Sequence, residues 1–191
     1  MAQPSRRALL VIDVQLEYFT GQMPVTHPAG HFARVLEAVD LAHAKGIPVV
    51  AIQHTSTRDG AQTFVKGTEG WRIHPEIVRR GWDVLIGKTL PGSFTGTGLE
   101  EWLKAHGVGT VVIAGYMTQM CCDTTARQAR HLGYEVEFLS DATGTLDFTN
   151  SAGHVSAEEL HRAALVTQQS AFSTVLTVEE WSERAAARPE R

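Results

Sequence analysis

Cys121 has the clearest chemical potential of any residue in this 191-residue chain. It follows the short apolar run 110–114 across a glycine-containing turn and opens a helical segment that ends at Gly133. At a helix N-terminus the macrodipole and the free amides favour an anion, so we expect a thiol pKa below the usual value of about 8.5 and a nucleophilic thiolate. The alternative is a buried structural cysteine, since free cysteines are among the most buried residues.

Two charged residues end other apolar runs. Asp13 closes the run 8–12, where a carboxylate at the end of a buried strand needs a partner. Lys88 closes the run 84–87, and a lysine there can stabilise both a thiolate and a carboxylate. Taken singly, each residue is equally well explained as a solvated strand end. Their spacing alone does not join them to Cys121.

The elements that must position these residues alternate along the chain. Buried strands are predicted by short β-branched apolar runs at 8–12, 48–52, 84–86, 110–114, 134–139 and, more weakly, 171–176. A helix is predicted over 31–45, because apolar residues recur there on one face and Gly46 supplies a stop. Three further helix starts are predicted by the capping boxes Thr97 with Glu100, Ser156 with Glu159 and Thr177 with Glu180.

This alternation predicts one α/β domain over residues 1–191, an open doubly wound parallel sheet covered by helices on both faces. The polar segments 55–71 and 142–155 are predicted to be loops. In such a sheet, ligands bind outside the carboxyl ends of the strands. The residues that follow predicted strands are therefore the candidate site: Asp13, His54, Lys88 and the segment 117–121.

Composition excludes several functions. With 17 Lys and Arg against 21 Asp and Glu, the net charge of −4 offers no basic surface for nucleic acid. No run approaches the roughly 20 apolar residues of a transmembrane helix. The segment 1–7 has two arginines but no signal-peptide pattern, so we expect a cytoplasmic protein without a membrane partner. The only two cysteines are adjacent and cannot cross-link distant parts of the fold.

Three ordered motifs resemble the isochorismatase-like hydrolases. The similarity runs in register from about residue 8 to residue 176. The first motif is an apolar strand ending in Asp, then Gln, then an aromatic; the second begins with lysine; the third holds the nucleophile. They read Ala8-Leu-Leu-Val-Ile-Asp13-Val-Gln15-Leu-Glu-Tyr-Phe19, Lys88-Thr-Leu-Pro-Gly-Ser93-Phe94-Thr-Gly-Thr97-Gly-Leu99, and Gly115-Tyr-Met-Thr118-Gln-Met-Cys121-Cys122-Asp-Thr-Thr125-Ala126.

The resemblance implies a catalytic triad of Cys121, Asp13 and Lys88 at the carboxyl edge of a six-stranded parallel sheet. It implies that Cys121 attacks a carbonyl carbon and cleaves a C–N bond through a thioester, with Asp13 as acid and base. It assigns the oxyanion hole to the backbone amides of Met117 and Cys121, and it implies a cis bond between Tyr116 and Met117. It also implies a homo-oligomer, a dimer or a tetramer.

Nicotinamidases in this superfamily bind a metal through an Asp-x-His element after the second strand. The matching stretch here is Ile52-Gln53-His54, in which an amide replaces the carboxylate. His74 is a second imidazole, but two imidazoles without a carboxylate or a third ligand are a poor divalent site. We therefore expect no metal and no cofactor.

Aromatic and imidazole side chains near strand ends are candidates for walls of a small-ligand pocket. We assign Phe19, His54 and Trp71 to substrate binding, each with packing as the alternative, and expect Phe94 to pack behind Lys88. Cys122 stands where the family has a small apolar residue. We interpret it as packing, with a redox role as the alternative.

Three other functions stay open. Isochorismate hydrolysis in this superfamily does not need the cysteine, so the presence of Cys121 argues against it. Nicotinamidase activity is weakened by Gln53, and a non-catalytic binding protein is weakened by the intact triad. The sequence does not name the substrate; ureido acids, carbamoyl amines, aromatic amides, lactams and biuret-like compounds all fit.

Overall fold

The computed structural model describes residues 6–186, and residues 1–5 and 187–191 lie outside the described range. The expectation about an export signal rests largely on the segment 1–7, most of which lies outside that range. The described strands are β1 (Arg6–Ile12), β2 (Val49–His54), β3 (Val84–Lys88), β4 (Val108–Tyr116), β5 (Glu135–Gly144), β6 (Phe148–Asn150), β7 (Gly153–Val155) and β8 (Thr174–Leu176).

Six of these strands form one sheet in the order β3-β2-β1-β4-β5-β8, and every neighbouring pair is parallel. The predicted doubly wound parallel sheet is confirmed. The strand order reverses beside β1, whose neighbours β2 and β4 continue the chain in opposite directions across the sheet. The crevice at such a reversal, outside the carboxyl ends of the strands, is where this fold binds ligands.

Helices cover both faces of the sheet. They are α1 (His31–Ala44), α2 (Pro75–Arg80), α3 (Leu99–Ala105), α4 (Asp123–His131), α5 (Ala157–Ala171) and α6 (Val178–Ala186). Side chains of β1 alternate between two cores, because successive residues of a strand point to opposite faces. Leu9 and Val11 pack with α1, α2 and α6, whereas Leu10 and Ile12 pack with α3 and α4.

Two of the three predicted capping boxes form. Ser156 and Glu159 cap α5 reciprocally, and Thr177 and Glu180 exchange the same two hydrogen bonds before α6. The predicted box of Thr97 with Glu100 is wrong. The Thr97 hydroxyl donates to the carbonyl of Ser93 and accepts from the amide of Leu99 at 3.3 Å, so it does not pair with Glu100, and the N-cap position of α3 is Gly98.

The two predicted loops have different outcomes. The segment 55–71 contains neither helix nor strand, as predicted. The segment 142–155 is not a simple loop, because β5 continues to Gly144 and a two-stranded antiparallel hairpin of β6 and β7 follows it. The polar composition of this segment did not indicate strands, because the side chains of an exposed hairpin do not need to be apolar.

Gly115 lets β1 and β4 approach closely at the functional edge of the sheet. It pairs with Ile12 in the ladder and has a φ of 112°. A Cβ atom at this position would lie 2.0 Å from the carbonyl oxygen of Ile12. Any side chain here would therefore push apart the strands that carry Asp13 and the segment leading to Cys121.

None of the helices within residues 6–186 is both long and apolar enough to cross a membrane.

Candidate active site

The carboxyl ends of three strands bring Asp13, Lys88 and Cys121 together. Asp13 follows β1, Lys88 is the last residue of β3, and Cys121 lies five residues beyond the end of β4. Because β2 separates β3 from β1, the side chains of Lys88 and Asp13 together bridge about two strand spacings of 4.8 Å each. Lysine has the long apolar stem that this crossing requires.

Lys88 is the centre of the cluster. Its Nζ atom lies 2.7 Å from Oδ2 of Asp13 and 3.3 Å from Sγ of Cys121. Two further acceptors are close, the carbonyl oxygen of Leu90 at 3.2 Å and Nδ1 of His54 at 3.4 Å. Three ammonium protons thus serve four acceptors, and the side chains of Lys88 and Asp13 are both fully buried. The ammonium is fixed in place and its charge is directed at the thiol.

Asp13 keeps one carboxylate oxygen free. The carboxylate of Asp13 forms an ion pair with Lys88 through Oδ2 and acts on the Cys121 thiol, and its Oδ1 atom is buried with no hydrogen-bond partner of good geometry among residues 6–186. Its backbone has a φ of 51°, a left-handed conformation that Asp tolerates better than most residues. A buried acceptor without a partner is rare in folded proteins and points to a functional role.

Cys121 lies in a π-helical turn, Thr118–Cys122, that leads directly into α4. The expectation that Cys121 opens the helix is corrected: the helical segment begins three residues earlier, at Thr118. The amide of Cys122 donates to the carbonyl of Met117 at 3.2 Å, a wider loop of chain than an α-helix closes. π-Helical turns occur frequently at functional sites.

The residue before this turn is Met117, which is joined to Tyr116 by a cis peptide bond. The carbonyl of Met117 accepts hydrogen bonds from the amides of Met120 and Cys122. Within residues 6–186, no backbone carbonyl accepts a hydrogen bond from the Met117 amide. Both predicted oxyanion residues, Met117 and Cys121, line the same cavity.

The electrostatics of the thiol differ from the sequence-based expectation. Burial raises the pKa of Cys121 to about 12, the negative charge of Asp13 acts in the same direction, and the Lys88 ammonium opposes both. The expected depression of the thiol pKa is therefore wrong for the unliganded protein. The position near a helix start and one cation do not outweigh burial and a neighbouring carboxylate.

Lys88 itself stays charged. Burial lowers its pKa, but the charges of Asp13 and Cys121 outweigh burial, so the net pKa lies above the usual value. Near neutral pH the cluster therefore holds a charged Lys88 ammonium and a protonated Cys121 thiol beside the side chain of Asp13. The thiol proton of Cys121 therefore lies next to Asp13, the group that can remove it.

His54 is the one predicted pocket residue that the structure places at the cavity. Burial and the nearby Lys88 lower its pKa, so the ring is neutral near pH 7. Because Lys88 donates to Nδ1 of His54, the ring proton is on Nε2. His54 can therefore offer one N–H donor to a bound molecule.

Phe19 and Trp71 do not line this cavity, so the structure lends no support to their assignment to substrate binding. The Phe19 ring packs against Phe32, His74 and Tyr116. The indole of Trp71 donates to the hydroxyl of Thr55, 2.8 Å away. Both are packing residues, the alternative that the sequence left open. Phe94 packs against the ring of Tyr134, in the core that also contains Cys121.

A cavity of about 720 Å³ opens in front of Cys121. Tyr18 and Phe64 form an aromatic wall, with ring centroids 5.1 Å apart. Leu90 and Met120 are half-exposed at the cavity, and much of the polar part of its lining comes from the loop 56–63. A cavity of this size accommodates a drug-sized molecule.

Sequence reasoning missed Tyr18, Phe64 and Gln15. Tyr18 adjoins Phe19 in a short 3₁₀ turn, Leu16–Tyr18, where no periodicity indicates which ring faces the cavity. Gln15 fixes the end of β2, because its side chain donates to the carbonyl oxygens of His54 and Trp71 and accepts from the amide of His54. The sequence signal that could have identified Gln15 is its position two residues after Asp13.

The residues near β2 do not fit the metal site of nicotinamidases. The amide of Gln53 donates to the carbonyl of Trp71, and Nδ1 of His74 accepts from the amide of Glu76 at the start of α2. Among residues 6–186 there is no group of three His, Cys, Asp or Glu side chains placed to bind a metal ion. Cys122 is a free cysteine that is fully buried in the core next to α4.

Comparison with known proteins gives one consistent family. The sequence profile of the Isochorismatase domain matches residues 7–180. The crystal structure of an isochorismatase-like protein from Burkholderia xenovorans LB400 superimposes with a TM-score of 0.91 at 42% identity, over 95% of this chain and 88% of that one.

Two relatives have named activities. Nicotinamidase 3 of Arabidopsis thaliana is 32% identical over 87% of this chain and 82% of its own length. The ureidoacrylate amidohydrolase RutB of Agrobacterium fabrum is 24% identical over 94% of this chain and 90% of its own length. Both names describe hydrolases that act on C–N bonds.

Proposed function

Since this chain belongs to the isochorismatase family of hydrolases, we propose that it cleaves a C–N bond in a small amide, ureido or carbamoyl substrate through a thioester on Cys121. One observation carries the proposal. The Nζ atom of Lys88 lies within hydrogen-bond distance of both the Asp13 carboxylate and the Cys121 thiol, in a buried cluster that opens onto a cavity.

The first step transfers the thiol proton of Cys121 to the carboxylate of Asp13 as the sulfur attacks the carbonyl carbon. The free Oδ1 atom of Asp13 supports this role, because it has no competing hydrogen bond among residues 6–186. Lys88 stabilises the negative charge while it lies on the sulfur. Because burial and Asp13 raise the pKa of Cys121, we expect the thiol to lose its proton as the sulfur attacks.

The second step stabilises and collapses the tetrahedral intermediate. The amides of Met117 and Cys121 donate to the oxyanion, and Asp13 returns the proton to the leaving nitrogen. The C–N bond breaks, ammonia or an amine departs, and the acyl group stays on Sγ of Cys121.

The third step releases the acid. Asp13 takes a proton from a water molecule as the water oxygen attacks the thioester carbonyl. Collapse breaks the C–S bond, the proton passes to the sulfur, and the carboxylic or carbamic acid leaves. Asp13 and Cys121 return to their starting protonation states, so no redox partner or cofactor is needed.

The cavity supports a substrate with an apolar part and a polar part. The rings of Tyr18 and Phe64, tilted by 55° to each other, provide an aromatic wall beside Cys121, and the polar loop 56–63 lies on the same cavity. Burial holds the pKa of Tyr18 well above its usual value, so its hydroxyl is a donor at neutral pH. Together with the Nε2 proton of His54, this gives two donors for a substrate.

Two alternative activities are less well supported. Isochorismate hydrolysis leaves the cluster around Cys121 without a role. Nicotinamidase activity gains support from the plant relative, but Gln53 is turned to the backbone of Trp71 rather than to a metal site. A homo-oligomer in the cytoplasm, without nucleic acid or membrane partners, remains part of our proposal.

The test is a screen for ammonia release by the purified protein on ureido acids, carbamoyl amines, aromatic amides, lactams and biuret. We expect at least one class to be hydrolysed and Cys121→Ala to abolish that activity. Full hydrolysis by the Cys121→Ala protein would rule out the thioester route.

A further inference from the structure

α5 carries two buried polar side chains that the mechanism above does not use. His161 is 5% exposed and Gln168 is fully buried. They are seven residues apart and so lie on the same face of the helix, about two turns from each other. Buried polar groups require partners, and both residues find theirs around the turn that holds Cys121.

His161 holds the first residue of that turn. Its Nδ1 atom lies 2.8 Å from the hydroxyl of Thr118, and its Nε2 atom lies 3.0 Å from the carbonyl oxygen of Ser140 on β5. A carbonyl only accepts, so the ring proton is on Nε2 and the Thr118 hydroxyl donates to Nδ1. Burial lowers the pKa of His161 to about 4, which keeps the ring in this neutral form.

Gln168 holds the residue that follows the turn. Its Nε2 atom donates to Oδ1 of Asp123 at 2.7 Å, and its Oε1 atom accepts from the hydroxyl of Ser173 at 2.6 Å. Asp123 is the first residue of α4, directly after the π-helical turn. α5 therefore forms hydrogen bonds to the chain on both sides of Cys121, at Thr118 and at Asp123.

We propose that His161 and Gln168 form a polar clamp that positions the nucleophile turn, with His161 a positioning residue for the oxyanion hole. The inference rests on the proposed function of Cys121 and extends it to residues outside the cavity. Thr118 is fully buried, and its backbone follows directly on Met117, whose amide is a proposed oxyanion donor. Loss of the hydrogen bond between Thr118 and His161 therefore allows the Met117 amide to rotate away from the reacting oxygen.

The clamp affects acyl transfer more than reactions of the thiol that need no oxyanion hole. Acylation of Cys121 by p-nitrophenyl acetate passes through a tetrahedral intermediate, whereas alkylation by iodoacetamide is a direct displacement at carbon. The ratio of the acylation rate constant to the alkylation rate constant in one variant therefore reports on the oxyanion donors. A change in the thiol pKa or in the folded fraction affects both rate constants alike and leaves their ratio unchanged.

The experiment measures both rates for the wild type and for Thr118→Val, His161→Leu and the double variant. We expect acylation relative to alkylation to fall at least about tenfold in each single variant, part of the 10²–10³-fold typical of an oxyanion-hole donor. The double variant should be no worse than either single, because both break the same bond. Thr118→Ser keeps the hydroxyl and should restore the ratio.

Two controls separate positioning from general stability. Ser156→Ala removes the capping box of α5 without touching the turn, so it should destabilise the helix and leave the ratio unchanged. His161→Gln can still donate and accept, so it should keep the ratio near the wild-type value; if His161→Leu does not fold, Thr118→Val carries the test. A ratio that stays at the wild-type value in Thr118→Val overturns the clamp, and so does an equal fall in Ser156→Ala.

Failure of the proposed function is distinguishable. If p-nitrophenyl acetate does not acylate Cys121 in the wild type, the thioester route and the clamp both fail. If Cys121 is acylated and the ratio is insensitive to Thr118 and His161, the thioester route stands and only the clamp is wrong.

Discussion

The Nζ atom of Lys88 lies 2.7 Å from Oδ2 of Asp13, with both side chains withdrawn completely from solvent. Burying two charges is expensive unless they satisfy each other, and removing one partner leaves the other uncompensated. The ion pair therefore affects both the stability of the fold and the electrostatic potential at the site. It fixes the charge next to Cys121 and explains why changes at Asp13 or Lys88 must be checked for folding as well as for activity.

The first prediction distinguishes the two adjacent cysteines. Cys121→Ala should abolish turnover with the fold intact, because the thiol lines the cavity and contacts Lys88. Cys122→Ala should retain most activity and lose about 1 kcal/mol or more of stability, because it leaves a small void in a packed core. Steady-state kinetics and urea unfolding measure both. An active Cys121→Ala together with an inactive Cys122→Ala would shift the nucleophile by one residue.

The second prediction concerns the opposing effects of Asp13 and Lys88 on the thiol. Asp13 raises the pKa of Cys121 and Lys88 lowers it. At pH 8 the alkylation rate should therefore rise severalfold in Asp13→Asn and fall in Lys88→Met. Asp13→Asn should nevertheless lose turnover, because no group remains to protonate the leaving nitrogen.

Circular dichroism melts of both variants are the control for the broken ion pair. If Lys88→Met leaves the alkylation rate and the turnover unchanged, Lys88 has no part in the site.

The third prediction compares two neighbouring aromatic residues. Tyr18→Leu should raise KM, because it removes part of the cavity wall beside Cys121. Phe19→Leu should leave KM unchanged and reduce stability by about 1 kcal/mol, since its ring packs only against other side chains. The measurements are KM on the best substrate and the free energy of unfolding. A rise in KM in Phe19→Leu alone would return the pocket assignment to Phe19.

The fourth prediction is that activity survives exhaustive chelation. Gln53 and His74 are both engaged in hydrogen bonds to the backbone, which leaves His54 without partners for a divalent site. Turnover before and after treatment with EDTA and a phenanthroline, followed by metal analysis, gives the answer. Loss of activity that zinc or iron restores would contradict the prediction.

The fifth prediction is a pH dependence of stability. The pKa of His161 is about 4 in the folded protein, below the unfolded value of about 6.5. Between these values the unfolded chain binds more protons, so stability is complete above pH 6.5 and is lost as the pH falls towards 4. Burial lowers the pKa of His31, His54 and His74 in the same direction.

Urea unfolding at pH 7 and pH 5 should show a loss that is smaller by about 1–2 kcal/mol in His161→Gln than in the wild type, allowing for solvent screening. An identical loss in both proteins would mean that His161 is not buried in its neutral form.

The sequence by itself determined the sheet, the order of its elements and the residues at its functional edge. Buried parallel strands are continuous apolar runs, so their ends are marked by the first charged residues, Asp13 and Lys88. Capping boxes at Ser156 and Thr177 are local signals and formed as predicted. The motif around Cys121 identified the family without any knowledge of tertiary contacts.

Only the tertiary structure decided the properties that depend on distant neighbours. Which of Tyr18 and Phe19 faces the cavity depends on an irregular turn, where no period fixes side-chain direction. The pKa of Cys121 depends on burial and on Asp13, more than 100 residues away in sequence, and these outweigh the helix start that the sequence suggested. The hydrogen bond between His161 of α5 and Thr118 likewise could not be predicted from the sequence, because hydrogen bonds between buried side chains form only once the helices have packed on the sheet.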